Sequence, residues 1–177
     1  DLVIRSPGWR AGLYAQDEWH VAEQWRATLG LRIDRNSSTG TRSSPRAALI
    51  WQAAPQTTLK ALFGRAHRAP NAYERDYDDG FAQVANPTLK GESINTLELV
   101  ADHRVGSDLL LRAAAYRWTM KDLVTLGTEP LSGVPQYRSG GRVKARGLEL
   151  SADKTWTWGG RLRGSVSLQH VRGTDQA

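Results

Sequence analysis

Gln24-Trp25-Arg26-Ala27-Thr28-Leu29-Gly30-Leu31-Arg32-Ile33-Asp34-Arg35-Asn36 alternates strictly over most of its length. Trp25, Ala27, Leu29, Leu31 and Ile33 fall on one side, and Arg26, Thr28, Gly30, Arg32 and Asp34 on the other. Period two with one apolar and one wet side is the mark of a β-strand whose two faces meet different surroundings. A soluble sandwich alternates in the same way. The tryptophans separate the two cases. Trp19, Trp25, Trp51, Trp156 and Trp158 all sit at or beside short predicted turns. Tryptophan is amphipathic and concentrates at membrane–water boundaries, so the pattern reads as one aromatic girdle of an outer-membrane β-barrel.

The chain has 177 residues, enough for one domain, and a mean hydropathy of −0.51. No apolar run approaches the roughly 20 residues that a membrane helix needs. For a barrel this excludes nothing, because half of each strand faces an aqueous lumen. Cysteine is absent, which removes disulfides and thiolate metal sites. Lys and Arg number 24 against 18 Asp and Glu, but the cations are scattered along strands among acids. That suits a luminal charge network better than a nucleic-acid stripe, so no nucleic-acid partner is expected. The opening Asp1-Leu2-Val3-Ile4-Arg5 shows no signal peptide, and a mature chain or an internal piece of something longer is expected.

Alternation predicts strands over residues 10–21, 25–36, 44–53, 57–68, 92–105, 108–124 and 138–154, with an eighth after a turn at 156–160. Three connections read as long: the polar stretch 37–43, the irregular stretch 69–91 and the stretch 125–137. Short and long connections then alternate, as periplasmic turns and extracellular loops do in bacterial outer-membrane barrels. No helix or second domain is expected. The fold class is all-β, an antiparallel up-and-down transmembrane barrel segment. Its two open edges would invite pairing with another chain.

Several segments resemble the barrel of TonB-dependent outer-membrane receptors. Tyr14-Ala15-Gln16-Asp17-Glu18-Trp19 followed by Gly30-Leu31-Arg32-Ile33-Asp34 is similar to that family's paired strands. Ser44-Pro45-Arg46 opens a strand as it often does there, and Phe63-Gly64-Arg65-Ala66-His67-Arg68-Ala69-Pro70 resembles its aromatic-to-Arg-Ala-Pro stretch. Asn86-Pro87-Thr88-Leu89-Lys90-Gly91-Glu92 with Leu97-Glu98-Leu99 resembles its Asn-Pro-x-Leu-x-x-Glu block, and Arg146-Gly147-Leu148-Glu149-Leu150 its Gly-x-Glu strand. The resemblance covers nearly the whole chain. The family's TonB box and globular plug have no counterpart in residues 1–177, and the final Gly173-Thr174-Asp175-Gln176-Ala177 lacks its closing aromatic. The expectation is therefore a partial barrel, roughly eight of about 22 strands. Its parent would be a receptor in the outer membrane of a Gram-negative bacterium, taking up a scarce solute such as an iron–siderophore complex or cobalamin. The resemblance implies three partners: outer-membrane lipid with lipopolysaccharide, a small-molecule ligand such as a metal chelate, and the TonB system. A complete small eight-stranded barrel with a structural or adhesive role, and a soluble β-sandwich binding module, are the alternatives.

No catalytic constellation or cofactor motif is present, so the chain does not read as an enzyme. His20, His67, His103 and His170 are isolated, without metal-ligand spacing. Asp76, Asp78, Asp79 and Gly80 hint at a Ca²⁺ loop, but Pro87 stands where the closing Glu would be needed. Arg32, Arg46, Lys60, Glu98, Arg112, Glu149 and Arg163 fall on wet faces and read as a luminal network with opposite charges pairing across strands. Arg68, followed by Ala69-Pro70, is expected at the lumen mouth, where plug or substrate could meet it. With Tyr73, Glu74, Arg75, Asp76, Tyr77, Asp78 and Phe81 it makes the 69–91 stretch a candidate substrate-facing loop.

Overall fold

The computed structural model describes residues 8–174. Eight antiparallel strands form one sheet in chain order: β1 (Arg10–Ala22), β2 (Trp25–Asn36), β3 (Gly40–Ala54), β4 (Thr57–Arg68), β5 (Glu92–Val105), β6 (Leu109–Thr128), β7 (Pro135–Thr155) and β8 (Arg161–Thr174). β1 and β8 are the edges, and they do not pair with each other. The expectations about the chain ends concern residues 1–5 and 175–177, which lie outside the described residues.

The registers carry each strand's alternation across the whole sheet. One row runs Trp19, Ala27, Leu49, Ala61, Leu99, Ala115, Leu148 and Leu168. The next runs Trp25, Trp51, Leu59, Ala101, Ala113, Leu150 and Val166. Leu29, Leu31, Phe63 and Leu97 join the same face. Among the described residues no protein layer covers it, and Leu168 is 66% exposed. The leucines therefore form no enclosed core between two sheets, which removes the sandwich alternative. An uncovered aliphatic face of this extent requires an apolar surround. The few buried aliphatic residues of the strands, Val100, Ala114 and Ala145, lie on the opposite, polar face.

Five of the seven tryptophans gather at the short-turn end, whereas Trp9 stands at the opposite end of β1 and Trp118 within β6. Trp19 and Trp51 lie within three residues of the last residues of β1 and β3, Trp25 opens β2, and Trp156 directly follows β7. Trp25 stacks on Trp51 with ring centroids 5.1 Å apart, and Trp156 on Trp158 at 5.8 Å.

Three expectations about the other end need correction. The 37–43 loop is a tight turn: β3 begins at Gly40, so only residues 37–39 connect it to β2. Asn36 explains this. Its Oδ1 accepts from the backbone N–H of Ser38 (3.0 Å) and Thr39 (2.7 Å), and Gly40 then adopts φ +69°. A side chain that mimics a turn followed by a left-handed glycine closes a three-residue hairpin. The regular short–long alternation fails at this connection. Second, the 125–137 loop shrinks to 129–134, because β6 and β7 continue pairing to Thr128↔Pro135. Third, residues 69–91 contain a helix, α1 (Ala72–Asp76).

The β6–β7 hairpin outruns its neighbours. The last β5–β6 rung is Ser93↔Lys121, and the last described β7–β8 rung is Arg142↔Thr174. At the next position, where the β6–β7 ladder skips from Lys121↔Arg142 to Leu123↔Gly140, stand Asp122 (φ +56°) and Gly141 (φ +72°), both left-handed. Asp tolerates that conformation better than most side chains, and Gly adopts it freely.

Candidate functional site

The stretch 69–91 folds back on the β6–β7 extension. Backbone N–H of Val84 donates to Pro135 O (2.9 Å), Asn86 Nδ2 to Tyr137 O (2.8 Å), Gln136 Nε2 to Ala85 O (2.9 Å) and Lys90 N to Ser139 Oγ (2.9 Å). Leu89 and Gln83 are buried in this packing. At its return the chain passes close to β4. A Cβ on Gly91 would sit 2.9 Å from the Arg68 carbonyl oxygen, so glycine is required there.

α1 begins with a reciprocal cap. Asn71 Oδ1 accepts from Glu74 N (2.8 Å), and Glu74 Oε2 accepts from Asn71 N (2.9 Å). Glu74 also takes Arg68 Nη1 (2.9 Å), while Arg68 Nε donates to Glu92 (2.7 Å). Arg68 is thus held between two carboxylates. It anchors the helix to the wall while remaining exposed. Glu92 further accepts from Val124 N (2.8 Å), supplying an acceptor where β5 has ended and β6 continues.

The other acids of the loop are used in the same way. Asp79 Oδ1 accepts from the N–H groups of Phe81 (3.0 Å), Ala82 (2.8 Å) and Gln83 (3.0 Å). The Phe81 and Gln83 amides, and then the Tyr77 hydroxyl, hold the Asp79 carboxyl at about 2. The same hydroxyl–carboxylate bond pushes the Tyr77 phenol upward. Asp78 accepts from Gly80 N and Ala85 N, and Arg75 is paired with Asp76 at 2.7 Å. Among the described residues no cluster of three His, Asp or Glu can hold a metal ion. What the loop presents outward is aromatic. Tyr73 stacks on Tyr77 (4.9 Å) and meets Tyr137 edge-on (6.2 Å). Phe81 is 88% exposed, and Leu131, at the tip of the β6–β7 hairpin, is 96% exposed.

Arg32, Arg46, Lys60, Glu98, Arg112, Glu149 and Arg163 share the polar face by register. Their acidic partners differ from those expected. Asp102 takes Lys60 (2.8 Å) and Arg112 (2.6 Å), Asp153 takes Arg161 (2.5 Å) and Arg163 (2.6 Å), and Asp34 takes Arg32 (2.6 Å). Glu98 and Glu149 form no ion pair among the described residues, and Arg46 lies over the Tyr14 ring (4.7 Å). Asp34, Asp102 and Asp153 have the same strand parity as the cations, which was the available signal.

A second polar cluster sits where β3 and β4 separate. Their ladder stops at Arg46↔Gly64, whereas β2–β3 pairing continues past Pro45. Proline has no N–H to give the β4 side. His67 occupies the gap, with Nδ1 3.0 Å from Ser44 Oγ and Nε2 3.9 Å from Asp34.

Comparison with known proteins agrees with this architecture. The family described as TonB dependent receptor-like, beta-barrel matches residues 4–176. The iron-regulated outer membrane virulence protein of Vibrio cholerae is 33% identical over 117 residues, 63% of this chain and 18% of that protein. The vitamin B12 transporter of the same species is 34% identical over 137 residues, 77% of this chain and 20% of that protein. Among solved structures, the ferric enterobactin receptor of Pseudomonas aeruginosa superposes with a TM-score of 0.81 at 21% identity, covering 92% of this chain and 26% of that one. The siderophore receptor PirA of the same organism gives 0.78 at 22%, covering 96% and 33%. The chain thus spans about a fifth of the length of these curated relatives.

Proposed function

The chain belongs to the TonB-dependent receptor β-barrel family, and from that premise we propose that it forms part of the wall of an outer-membrane receptor for energised uptake of a scarce solute. In this reading residues 1–177 supply roughly eight adjacent strands of a barrel of about 22. The plug and the TonB-contacting segment belong to other parts of the receptor. The chain is a transport element and not an enzyme, and it resides in the Gram-negative outer membrane, as the names of its Vibrio relatives suggest.

The observation that carries this reading is the division of the sheet into an uncovered aliphatic face and an ion-paired polar face. Lipid suits the first and a water-filled, plugged lumen the second. A complete eight-stranded barrel would pair β1 with β8, and no such pairing exists among the described residues. The names of the relatives support a metal chelate, either a ferric siderophore or cobalamin, as the solute. The loop 69–91 meets it at the outer mouth through Tyr73 and Phe81. Arg68, Glu74, Arg75, Asp76, Tyr77 and Asp78 hold that loop in shape.

The test is uptake by cells lacking the receptor and by cells restored with it. Labelled ferric siderophores and cobalamin are supplied separately, with and without an active TonB system. One solute class should require both the receptor and TonB. Unchanged uptake of both classes on deletion would refute the assignment. Phe81→Ala should weaken binding of that solute severalfold while the barrel still assembles.

A further inference from the structure

The wall opens between β3 and β4. Their ladder ends at Arg46↔Gly64, although β3 stays paired with β2 up to Gly40 and β4 with β5 up to Arg68. The outer ends of the two strands therefore form a fork, each arm held by its other neighbour alone. Thr39 closes the fork above, with Cγ2 3.5 Å from where a Cβ on Gly91 would stand. Continued register would set Ser43 beside His67. His67 has the strand parity of Leu59 and Phe63 on the aliphatic face. Its ring nevertheless reaches Ser44 Oγ at 3.0 Å and Asp34 at 3.9 Å, both of polar-face parity. The imidazole thus passes through the plane of the wall.

The two sides of this opening differ. On the polar face lies a cavity of about 420 Å³, whose lining includes Arg10, Arg32, Asp34, Ser44, His67 and Arg68. Arg32 and Arg68 have carboxylates, but Arg10 forms no ion pair among the described residues. At the foot of the fork a Cβ on Gly64 would meet nothing within 4 Å. On the aliphatic face the fork is bordered by Leu31 and Pro45, which share a rung, and by Ile33 and Phe63. Leu31, Ile33 and Phe63 are exposed. Backbone left out of a ladder at membrane depth is tolerated where it lines a cavity. A cationic inner side and an aliphatic outer side match a molecule with an anionic end and an alkyl chain. Arginine takes a carboxylate in bidentate fashion, and the chain gains by leaving water.

We propose that the fork is a side portal closed by the His67 ring, and that the solute of this receptor carries an alkyl tail that lies in it while an anionic group of the same molecule sits in the luminal cavity at Arg10 and Arg32. The proposal rests on the solute uptake and on the placement of the two faces given above. His67 swings aside to admit the tail, and Ser44 and Asp34 hold the ring in place when the portal is empty.

The full-length receptor is purified in detergent and offered dodecanoate, butyrate and dodecanol, and bound ligand is counted by native mass spectrometry. Dodecanoate should be retained at least tenfold better than either control, the first lacking the tail and the second the charge. In S43C/H67C, joining the two thiols across the fork with a reducible bis-thiosulfonate should cut that preference at least fivefold, and reduction should restore it. R10Q should lower it about threefold, and serves if the double variant does not assemble. A ferric hydroxamate chelate bearing a free carboxylate and a dodecanoyl tail should displace dodecanoate at a concentration at least tenfold below that of its untailed counterpart. Equal retention of the three probes, a preference that survives both bridging and R10Q, or equal displacement by the two chelates would overturn the proposal, the last by leaving a membrane fatty acid as the occupant. A dye at L31C, in vesicles containing a lipid-borne quencher, separates the portal from the reading beneath it. Absence of quenching refutes the membrane placement, whereas quenching without dodecanoate preference refutes only the portal.

Discussion

Gly147→Ala should destabilise the barrel wall, and the amount follows from what surrounds Gly147. Tyr116 faces it across the β6–β7 ladder and lays its ring over it. A Cβ at this position would sit 2.5 Å from the Tyr116 ring and 2.8 Å from the Leu168 backbone oxygen, where ordinary contact begins near 3.4 Å. The ring can swing outward. The carbonyl of Leu168 cannot retreat without stretching the ladder beside Gly147↔Gln169. Overpacking of this kind costs about 1–3 kcal/mol. Replacing a strand glycine returns about 0.5–1 kcal/mol of unfolded-state entropy, so the clash wins by about 1–2 kcal/mol. The assay is urea unfolding of the receptor in detergent, followed by tryptophan fluorescence and by heat-dependent mobility on gels. Y116A/G147A supplies the decisive arm. With the ring gone, only the Leu168 contact remains, and the double variant should be more stable than the sum of the singles by about 1 kcal/mol. A Gly147→Ala receptor as stable as wild type, or strictly additive singles, would refute the argument.

Asp79 has a carboxyl pKa depressed to about 2 by the amides of Phe81 and Gln83. Its contribution to loop order is therefore fully present above the unfolded-state value near 4 and is lost as pH falls through about 2. Protection of the Phe81, Ala82 and Gln83 amides, corrected for intrinsic exchange, should hold at pH 5 and collapse between pH 4 and 2. Asn71→Ala removes one half of the reciprocal cap on α1 and should loosen the loop by about 1 kcal/mol, seen as faster proteolysis within residues 69–91. Asp153→Asn should leave the urea unfolding midpoint nearly unchanged, because its two arginine partners are largely exposed.

The wall was legible in the sequence wherever alternation was clean. β2, β4 and β5 have the bounds that Trp25 to Asn36, Thr57 to Arg68 and Glu92 to Val105 suggested. Alternation failed as a guide where side chains act on the backbone. Asn36 turns a Ser- and Thr-rich run into a hairpin, although composition alone reads it as a loop. The helix at 72–76 is too short for a hydrophobic period, and its signal was instead Asn71 and Glu74 at capping distance. Above the membrane band, β6 and β7 lose the alternation that lipid imposes, so Thr125 and Tyr137 read as loop although they belong to paired strands. At the candidate site, the loop was legible from length and aromatics. The engagement of Asp78 and Asp79 was not, because it depends on which backbone amides the folded loop leaves unpaired, and that of Arg68 was not, because it depends on α1 bringing Glu74 back to the wall beside Glu92.

The left-handed pair Asp122 and Gly141 stands at the position next above the last rungs that β6 and β7 share with β5 and, among the described residues, with β8. Below it, any insertion would shift the register against lipid and lumen at once. Above it, among the described residues, the hairpin is held by its own partner strand, by the 69–91 loop and by Glu92 of β5, which accepts from Val124 N. This divides one continuous pair of strands into a stave whose length is fixed by its neighbours and an arm less bound by them. Lengthening or exchanging residues 123–140 should therefore be the economical route for evolution, or for an engineer, to alter what the receptor shows the outside world without rebuilding its barrel.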